Sequence, residues 1–467
     1  MVILENQPVK IWKILRKKEK IFVSFLLILT ILCSFLEFLS ISSIVPFLNE
    51  LVGGLEENIV TKNLEFLFED INLEKENKFR ILILVIIFVF LIKNFLFVLN
   101  TYFSNYFAFQ LRYRLVNKLY TKYLKKNYQF FLKKNSNELI RNRETASAVG
   151  YATLIYLQII NCIFLALTLI ITFFLFVSFE LLYILMLFVI FLLVYYFFFK
   201  NRIKNLSVKE QESAFIEIKN FQQTFKGIKE ILTSRNISKF LKSYDKVTKK
   251  QKYMNITLAT IPEVSKYFIE FLTIVVLCSG VFFLSYNNNL TNFIGTLSII
   301  VVISLRLFPI FNKILQLFQK SNVIYGKLNI YFNEYSALNE SKDEKNKTLI
   351  KKFKKIELKN IYFKYKKKLK KNVINNFNLV IKKNQILGIS GKSGKGKTTL
   401  VDIVLGLLNI DKGKILIDGK KRENYILQCN YISQFDYLFD DTILNNIGFF
   451  SKKKKINQKK YGNFYLL

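Results

Sequence analysis

Near its C-terminal end the chain reads Gly391-Lys392-Ser393-Gly394-Lys395-Gly396-Lys397-Thr398, an order of residue types that grips phosphate. Glycines let a backbone curl until its N–H groups point at phosphate oxygens. A helix starting at the end of the loop adds partial positive charge at its N-terminus. Lys397 is placed to reach the β and γ phosphates of a nucleotide, and the Thr398 hydroxyl to hold Mg²⁺, with Thr399 beside it. The plain alternative is a glycine-rich turn before a helix. Context favours phosphate: residues 386–390 read as a buried apolar strand before the loop, and residues 398–408 as a helix after it.

A second group of charges lies where charge is expensive. Glu37, Lys93, Glu270 and Arg306 all fall inside long apolar runs. A charge at the centre of a bilayer costs about 3 kcal/mol on insertion scales, so each should face a cavity or a partner. An internal ion pair of Arg306 with Glu270 or Glu37 is one outcome, and Lys93 suits a vestibule.

The elements that position these residues follow from composition. The chain has 467 residues, 52% of them hydrophobic, with 48 Phe; its mean hydropathy is +0.25. Six runs are long enough to span a bilayer: residues 21–46, 81–103, 152–177, 181–199, 267–284 and 293–311. Lipid leaves backbone polar groups nothing to bond, so these runs are predicted as helices. The predicted fold is a six-helix, all-α membrane domain over residues 1–332, a linker over 333–352 and a partial α/β nucleotide-binding domain over 353–450. Its strands are predicted at 356–365, 377–381, 386–390 and 414–417, and a Lys-rich tail runs over 451–467.

Charge placement gives an orientation. The formal charge is +37. Lys and Arg crowd the N-terminal segment and residues 112–143 and 200–266, whereas residues 47–79 are acidic, with Glu56, Glu57, Glu69 and Asp70 among them. Basic segments stay on the cytoplasmic side, so both termini and both basic stretches are predicted there. No nucleic-acid recognition module occurs, and the charge is read as membrane topology plus an AT-rich codon bias. The basic stretches are helically patterned; Phe221, Phe225, Ile228 and Leu232 share one face, so helices should continue beyond the bilayer. In the acidic loop, Leu64, Leu67, Phe68 and Ile71 mark a short amphipathic helix. The N-terminal apolar run is too long for a cleaved leader. Cys33, Cys162, Cys278 and Cys429 lack metal-ligand spacing and read as inert core thiols; histidine is absent.

Taken with Ile415-Leu416-Ile417-Asp418-Gly419, Tyr431-Ile432-Ser433-Gln434 and Leu438-Phe439-Asp440-Asp441-Thr442-Ile443, the loop resembles an ATP-binding cassette domain. That resemblance implies ATP and Mg²⁺ as cofactors. Gln434 would then sense Mg²⁺ and the attacking water, and Tyr365 would stack on adenine, whose face any aromatic ring can meet. The six-helix part resembles the exporter domain of the same family, a dimeric, multi-pass protein of the bacterial inner membrane driven by ATP hydrolysis. More narrowly, Phe35-Leu36-Glu37-Phe38-Leu39, Tyr267-Phe268-Ile269-Glu270 and Ser304-Leu305-Arg306-Leu307-Phe308-Pro309 resemble the flippase of lipid-linked oligosaccharides used in bacterial protein N-glycosylation. Under that resemblance Arg306, with Glu37 and Glu270 nearby, would meet the pyrophosphate of a lipid-linked sugar, and the Leu64–Ile71 helix would guide a polyprenyl tail or simply lie at the interface. Peptide, drug or glycolipid cargo would differ only in the cavity.

Some family motifs are not found. No LSGGQ-type signature, no strand ending in Asp-Glu and no switch histidine occurs in the sequence. Two explanations stand: a truncated or frameshifted product, or a degenerate subunit that binds ATP and pairs with a complete half-transporter. A homodimer of this chain alone would lack the composite ATP site.

Overall fold

The computed structural model describes residues 7–44, 75–134, 136–176, 182–286, 290–340, 347–365, 372–432 and 438–448. Two compact units emerge, one of residues 1–126 and 130–342, the other of residues 127–129 and 343–467. The predicted Leu64–Ile71 helix, the residue Gln434 and the Lys-rich tail lie outside the described residues.

The first unit is helical. Its elements are α1 (Gln7–Ile14), α2 (Lys17–Ser42), α3 (Lys75–Leu124), α4 (Tyr128–Lys133), α5 (Ser136–Phe176), α6 (Leu182–Lys226), α7 (Ile228–Ser234), α8 (Ile237–Tyr286) and α9 (Leu290–Glu340). Among the described residues four segments are long and apolar enough to cross a membrane: Lys17–Ser42, Ile83–Leu124, Glu138–Leu175 and Val301–Leu338. They overlap the first, second, third and sixth predicted spans; α6 and α8 contain most of the fourth and all of the fifth. The 50 residues of α3 extend about 75 Å, more than twice the roughly 30 Å of a hydrocarbon core. Helices therefore do outrun any bilayer.

Periodicity explains how they pack. On α3, Phe107, Leu111, Leu115 and Leu119 recur every four residues and are all buried. They join Val23 and Leu26 of α2, Ala146, Val149 and Ala152 of α5, and Leu328 and Tyr331 of α9 in one core. Small residues let the backbones close up. At Gly150 of α5 a Cβ would come within 2.7 Å of both the Ala108 carbonyl oxygen and Arg112 Cβ on α3. Gly150→Val should therefore push α3 and α5 apart, cost about 1–3 kcal/mol, and lower the thermal unfolding midpoint of the purified chain. An unchanged midpoint would refute this packing.

Two expectations need correction here. Residues 333–352 are not a linker throughout: α9 continues to Glu340, and Thr348–Ile350 is a strand. Leu338, 4% exposed, keeps an apolar face on α9 packed in the core, so the polar composition around it does not end the helix. The helical pattern over Phe221–Ser234 is also interrupted, because α6 stops before Gly227 and α7 begins after it. Glycine is a poor helix former, and its backbone conformation here, φ −102° and ψ 25°, is not helical.

The second unit mixes strands and helices: β1 (Thr348–Ile350), β2 (Lys355–Phe363), β3 (Ile374–Lys382), α10 (Lys397–Val404), β4 (Lys412–Ile417), β5 (Lys420–Lys421), β6 (Tyr425–Leu427) and α11 (Ile443–Gly448). An antiparallel sheet runs β3-β2-β4-β5, and β1 pairs with β6 in parallel. The inward residues Ile356, Leu358, Ile361 and Phe363 of β2 pack on Leu400 and Ile403 of α10 and on Ile415 and Ile417 of β4. This core fixes where α10 begins, and so where the loop before it stands.

The strand predicted at residues 386–390 is not formed. Ile386 is 99% exposed and Ile389 is 40% exposed. Among the described residues no strand pairs with this run, and an apolar run becomes a buried strand only where a ladder and two covered faces exist.

Candidate functional site: a phosphate loop and a membrane charge cluster

The loop from Gly391 to Lys397 has the backbone its glycines permit. Gly394 (φ 78°) and Gly396 (φ 91°) adopt left-handed conformations that residues with a Cβ rarely take. A Cβ on Gly396 would also meet Val373 Cγ1 at 3.0 Å. Gly396 caps α10, so the turn delivers the chain to the helix N-terminus. Lys397 Nζ lies across the loop and donates to the carbonyl oxygens of Gly391, at 2.7 Å, and Lys392, at 3.2 Å. No atom lies within 4 Å of a Cβ built at Gly391 or Gly394, so the rim is open. A curled backbone, a helix N-terminus and an ammonium group folded over them fit a polyphosphate.

Neighbouring side chains are held in place. Thr398 is exposed at the first turn of α10, whereas Thr399 is buried. Thr399 Oγ1 and the Tyr365 hydroxyl share a hydrogen bond of 2.8 Å. That bond sets the Tyr365 ring beside the loop, edge-on to Phe363 at 5.1 Å, and the residue remains 41% exposed. Ser393 and Lys395 are exposed on the loop, and the Lys395 amide donates to the Lys392 carbonyl at 3.3 Å. Further along α10, burial raises the carboxyl of Asp402 above its ordinary range. The structure thus brings together Tyr365, Gly391–Gly396, Lys397, Thr398 and Thr399.

In the helical unit a second site forms around Glu37 of α2. Its Oε1 accepts from Arg306 Nη1 of α9 at 2.6 Å, and its Oε2 pairs with Lys93 Nζ of α3 at 3.1 Å. Ser40 Oγ accepts from Lys93 Nζ at 3.4 Å. Lys93 Nζ and Arg306 Cζ also lie over the Phe90 ring, at 4.4 and 5.3 Å from its centroid. Two cations share one carboxylate, so the cluster carries one surplus positive charge. The side chains of Lys93 and Glu37 are 3% and 7% exposed, and that of Arg306 is 29% exposed. Arg306 is thus the member that meets open space. Of the two pairings left open, the structure forms the one with Glu37; Glu270 is exposed on α8 rather than buried with them. Lys93 is buried in this cluster and does not face a vestibule.

Sequence reasoning named Lys93 but set it toward a vestibule, and it missed Ser40 as a member of the cluster. A signal existed: Thr30, Ser34, Glu37 and Ser40 recur at helical spacing on α2 and are all buried, and Thr30 Oγ1 also accepts from Asn100 Nδ2 of α3 at 3.3 Å. The thiol expectation also needs correction. Cys33 and Cys162 are buried, but Cys278 and Cys429 are exposed. Among the described residues no group of His, Cys, Asp and Glu is arranged to hold a metal ion by itself.

Comparison with known proteins adds to this geometry. Residues 374–461 match the family model described as ABC transporter. A relative named ATP-dependent lipid A-core flippase, from Shigella sonnei (strain Ss046), is 22% identical over 257 residues, covering 53% of this chain and 43% of the relative. The protein of that name from Escherichia coli (strain K12) is 21% identical over 257 residues with the same coverage. The one from Haemophilus ducreyi is 38% identical over 73 residues, 15% of this chain. The chain spans less than half the length of these curated relatives.

Proposed function

We propose that this chain is an ATP-binding cassette exporter half-transporter and takes part in ATP-driven flipping of a lipid across the bacterial inner membrane. The observation that carries this reading is the loop before α10, with Gly394 and Gly396 in left-handed turns and Lys397 folded across it. Mg-ATP is the cofactor this chemistry fits. Loop amides and Lys397 would hold the β and γ phosphates, the Thr398 hydroxyl would meet Mg²⁺, and Tyr365 would offer its ring to adenine. Gln434 would monitor the metal. Six spans, with both termini in the cytoplasm, would carry the lipid path, and a dimer of two half-transporters would supply the second cassette.

For cargo we infer a lipid with an anionic head, a lipid-linked oligosaccharide being the specific candidate. Support comes from the surplus charge at Glu37, Lys93 and Arg306 and from the partly exposed guanidinium of Arg306, whose planar fork suits a phosphate. The relatives named lipid A-core flippases agree with a lipid cargo of some kind. The test is transfer of a fluorescent polyprenyl-pyrophosphate sugar across proteoliposomes with Mg-ATP. Transfer should require nucleotide. Arg306→Gln should slow it at least about tenfold while Mg-ATP affinity stays as it was, since one charged hydrogen bond to phosphate is worth roughly 1.5–3 kcal/mol. Full transfer by that variant at equal protein would remove Arg306 from the lipid path.

A further inference from the structure

Away from both sites, the N-terminal end of the helical unit presents an amphiphilic edge. We propose that the outer face of α1 and the start of α2 bind a resident anionic phospholipid of the adjoining leaflet, with its headgroup on Lys13, Lys17 and Lys18 and an acyl chain along α2. α1 is fixed from behind. Ile11 and Leu15 are buried with Leu328 and Tyr331 of α9, and Gln7 Nε2 donates to Asn329 Oδ1 at 2.6 Å. With those residues turned inward, Val9, Trp12 and Lys13 are left exposed on the outer face at i, i+3 and i+4.

Charge selects the head. Lys13, Lys17 and Lys18 are exposed, and none pairs with a carboxylate among the described residues. Lys10 and Lys20 are turned instead onto the Phe332 and Trp12 rings, at 5.7 and 5.2 Å from their centroids. The nearby carboxylate, Glu19, is held by Arg114 Nε at 2.7 Å and by the Arg16 amide at 2.8 Å. The edge therefore keeps a positive charge that a phosphodiester with no cation of its own neutralises. A zwitterionic head would bring its ammonium against the lysines. The Trp12 ring suits the same level of the bilayer, where one end is apolar and the other wet.

Spacing supplies the tail. Lys17, Ile21, Phe25, Ile28 and Leu32 follow one another every three or four residues on a single stripe of α2, and all are exposed. The opposite face of the helix, with Val23, Leu26 and Leu29, is buried. From Ile21 to Leu32 the stripe rises about 16 Å, half of a hydrocarbon core of about 30 Å. From Lys17 to Ile21 it rises about 6 Å, the depth of the polar layer on one side. A phospholipid of one leaflet fits both lengths.

Trp12 is the sole tryptophan of the chain, so its fluorescence reports this edge alone. The full chain is reconstituted in phosphatidylcholine bilayers and its emission is quenched by lipids brominated on the acyl chain. Brominated phosphatidylglycerol should quench with a relative affinity at least about tenfold above that of equally brominated phosphatidylcholine, as clustered cations near anionic headgroups give. Replacing Lys13, Lys17 and Lys18 together by glutamine should bring that ratio to about twofold or less. Quenching by brominated phosphatidylcholine should persist in this variant, because Trp12 still meets lipid. Replacing Lys242, Lys246 and Lys250 by glutamine removes the same charge from an exposed stripe of α8 and should leave the ratio unchanged. Arg306→Gln should also leave it unchanged, which separates this lipid from the cargo. Equal affinity of the two lipids for the parent chain, or an equal loss of preference in the α8 variant, would overturn the proposal. The measurement needs no nucleotide, so its failure is distinct from failure of the ATP site.

Discussion

Replacing Lys397 by alanine should lower Mg-ATP affinity about 100-fold. The ammonium group now donates to two loop carbonyls, folded across the loop that would receive the phosphates. Moving it onto phosphate oxygens would give charge-assisted hydrogen bonds worth roughly 1.5–3 kcal/mol each, and about 2.7 kcal/mol is a hundredfold in binding. Loss of fold is not the expected cause, because α10 is anchored by Leu400 and Ile403 in the sheet core rather than by Lys397. Equilibrium dialysis with labelled nucleotide measures this directly. Equal retention by parent and variant would mean that the loop does not grip a polyphosphate.

The second large effect concerns Glu37. Changing it to glutamine leaves Lys93 and Arg306 facing each other across a neutral amide inside a largely buried cluster. Breaking a buried pair by removing one partner typically costs about 3–5 kcal/mol, chiefly for the charge left behind. A loss of that size should lower the thermal unfolding midpoint by many degrees. Adding Lys93→Met should restore much of it, because one uncompensated cation then disappears from the site. A double variant no more stable than Glu37→Gln alone would mean that Lys93 is not the source of the cost.

Some of this was legible from residue order alone. The phosphate loop was, because its glycines occupy fixed offsets and each has a local backbone reason. The long helices were too, since apolar runs with helical continuation into basic stretches leave few other structures. Residues 386–390 were not: the run has strand composition, but a strand is a property of its neighbours, and none among the described residues pairs with it. Likewise the polar stretch after Asn333 hid a helical end, because one buried contact at Leu338 outweighs several solvated residues. For the charge cluster, the sequence named Glu37 and Arg306 but left two possible pairings. Choosing between them requires knowing which faces of α2, α3 and α9 meet across a sequence separation of 269.

Helix length has a mechanical corollary. A rod of about 75 Å with some 30 Å in lipid leaves about 45 Å outside it, and Phe107, Leu111, Leu115 and Leu119 tie that outer length to α2, α5 and α9, so it moves with them. Tilting this packed bundle by roughly 5° about its lipid-embedded part would carry the far end of α3 some 4 Å sideways. Small rearrangements around the lipid-embedded portion are therefore geared up at the distant tip, and equally a modest push at that tip arrives in the bilayer as a fine adjustment.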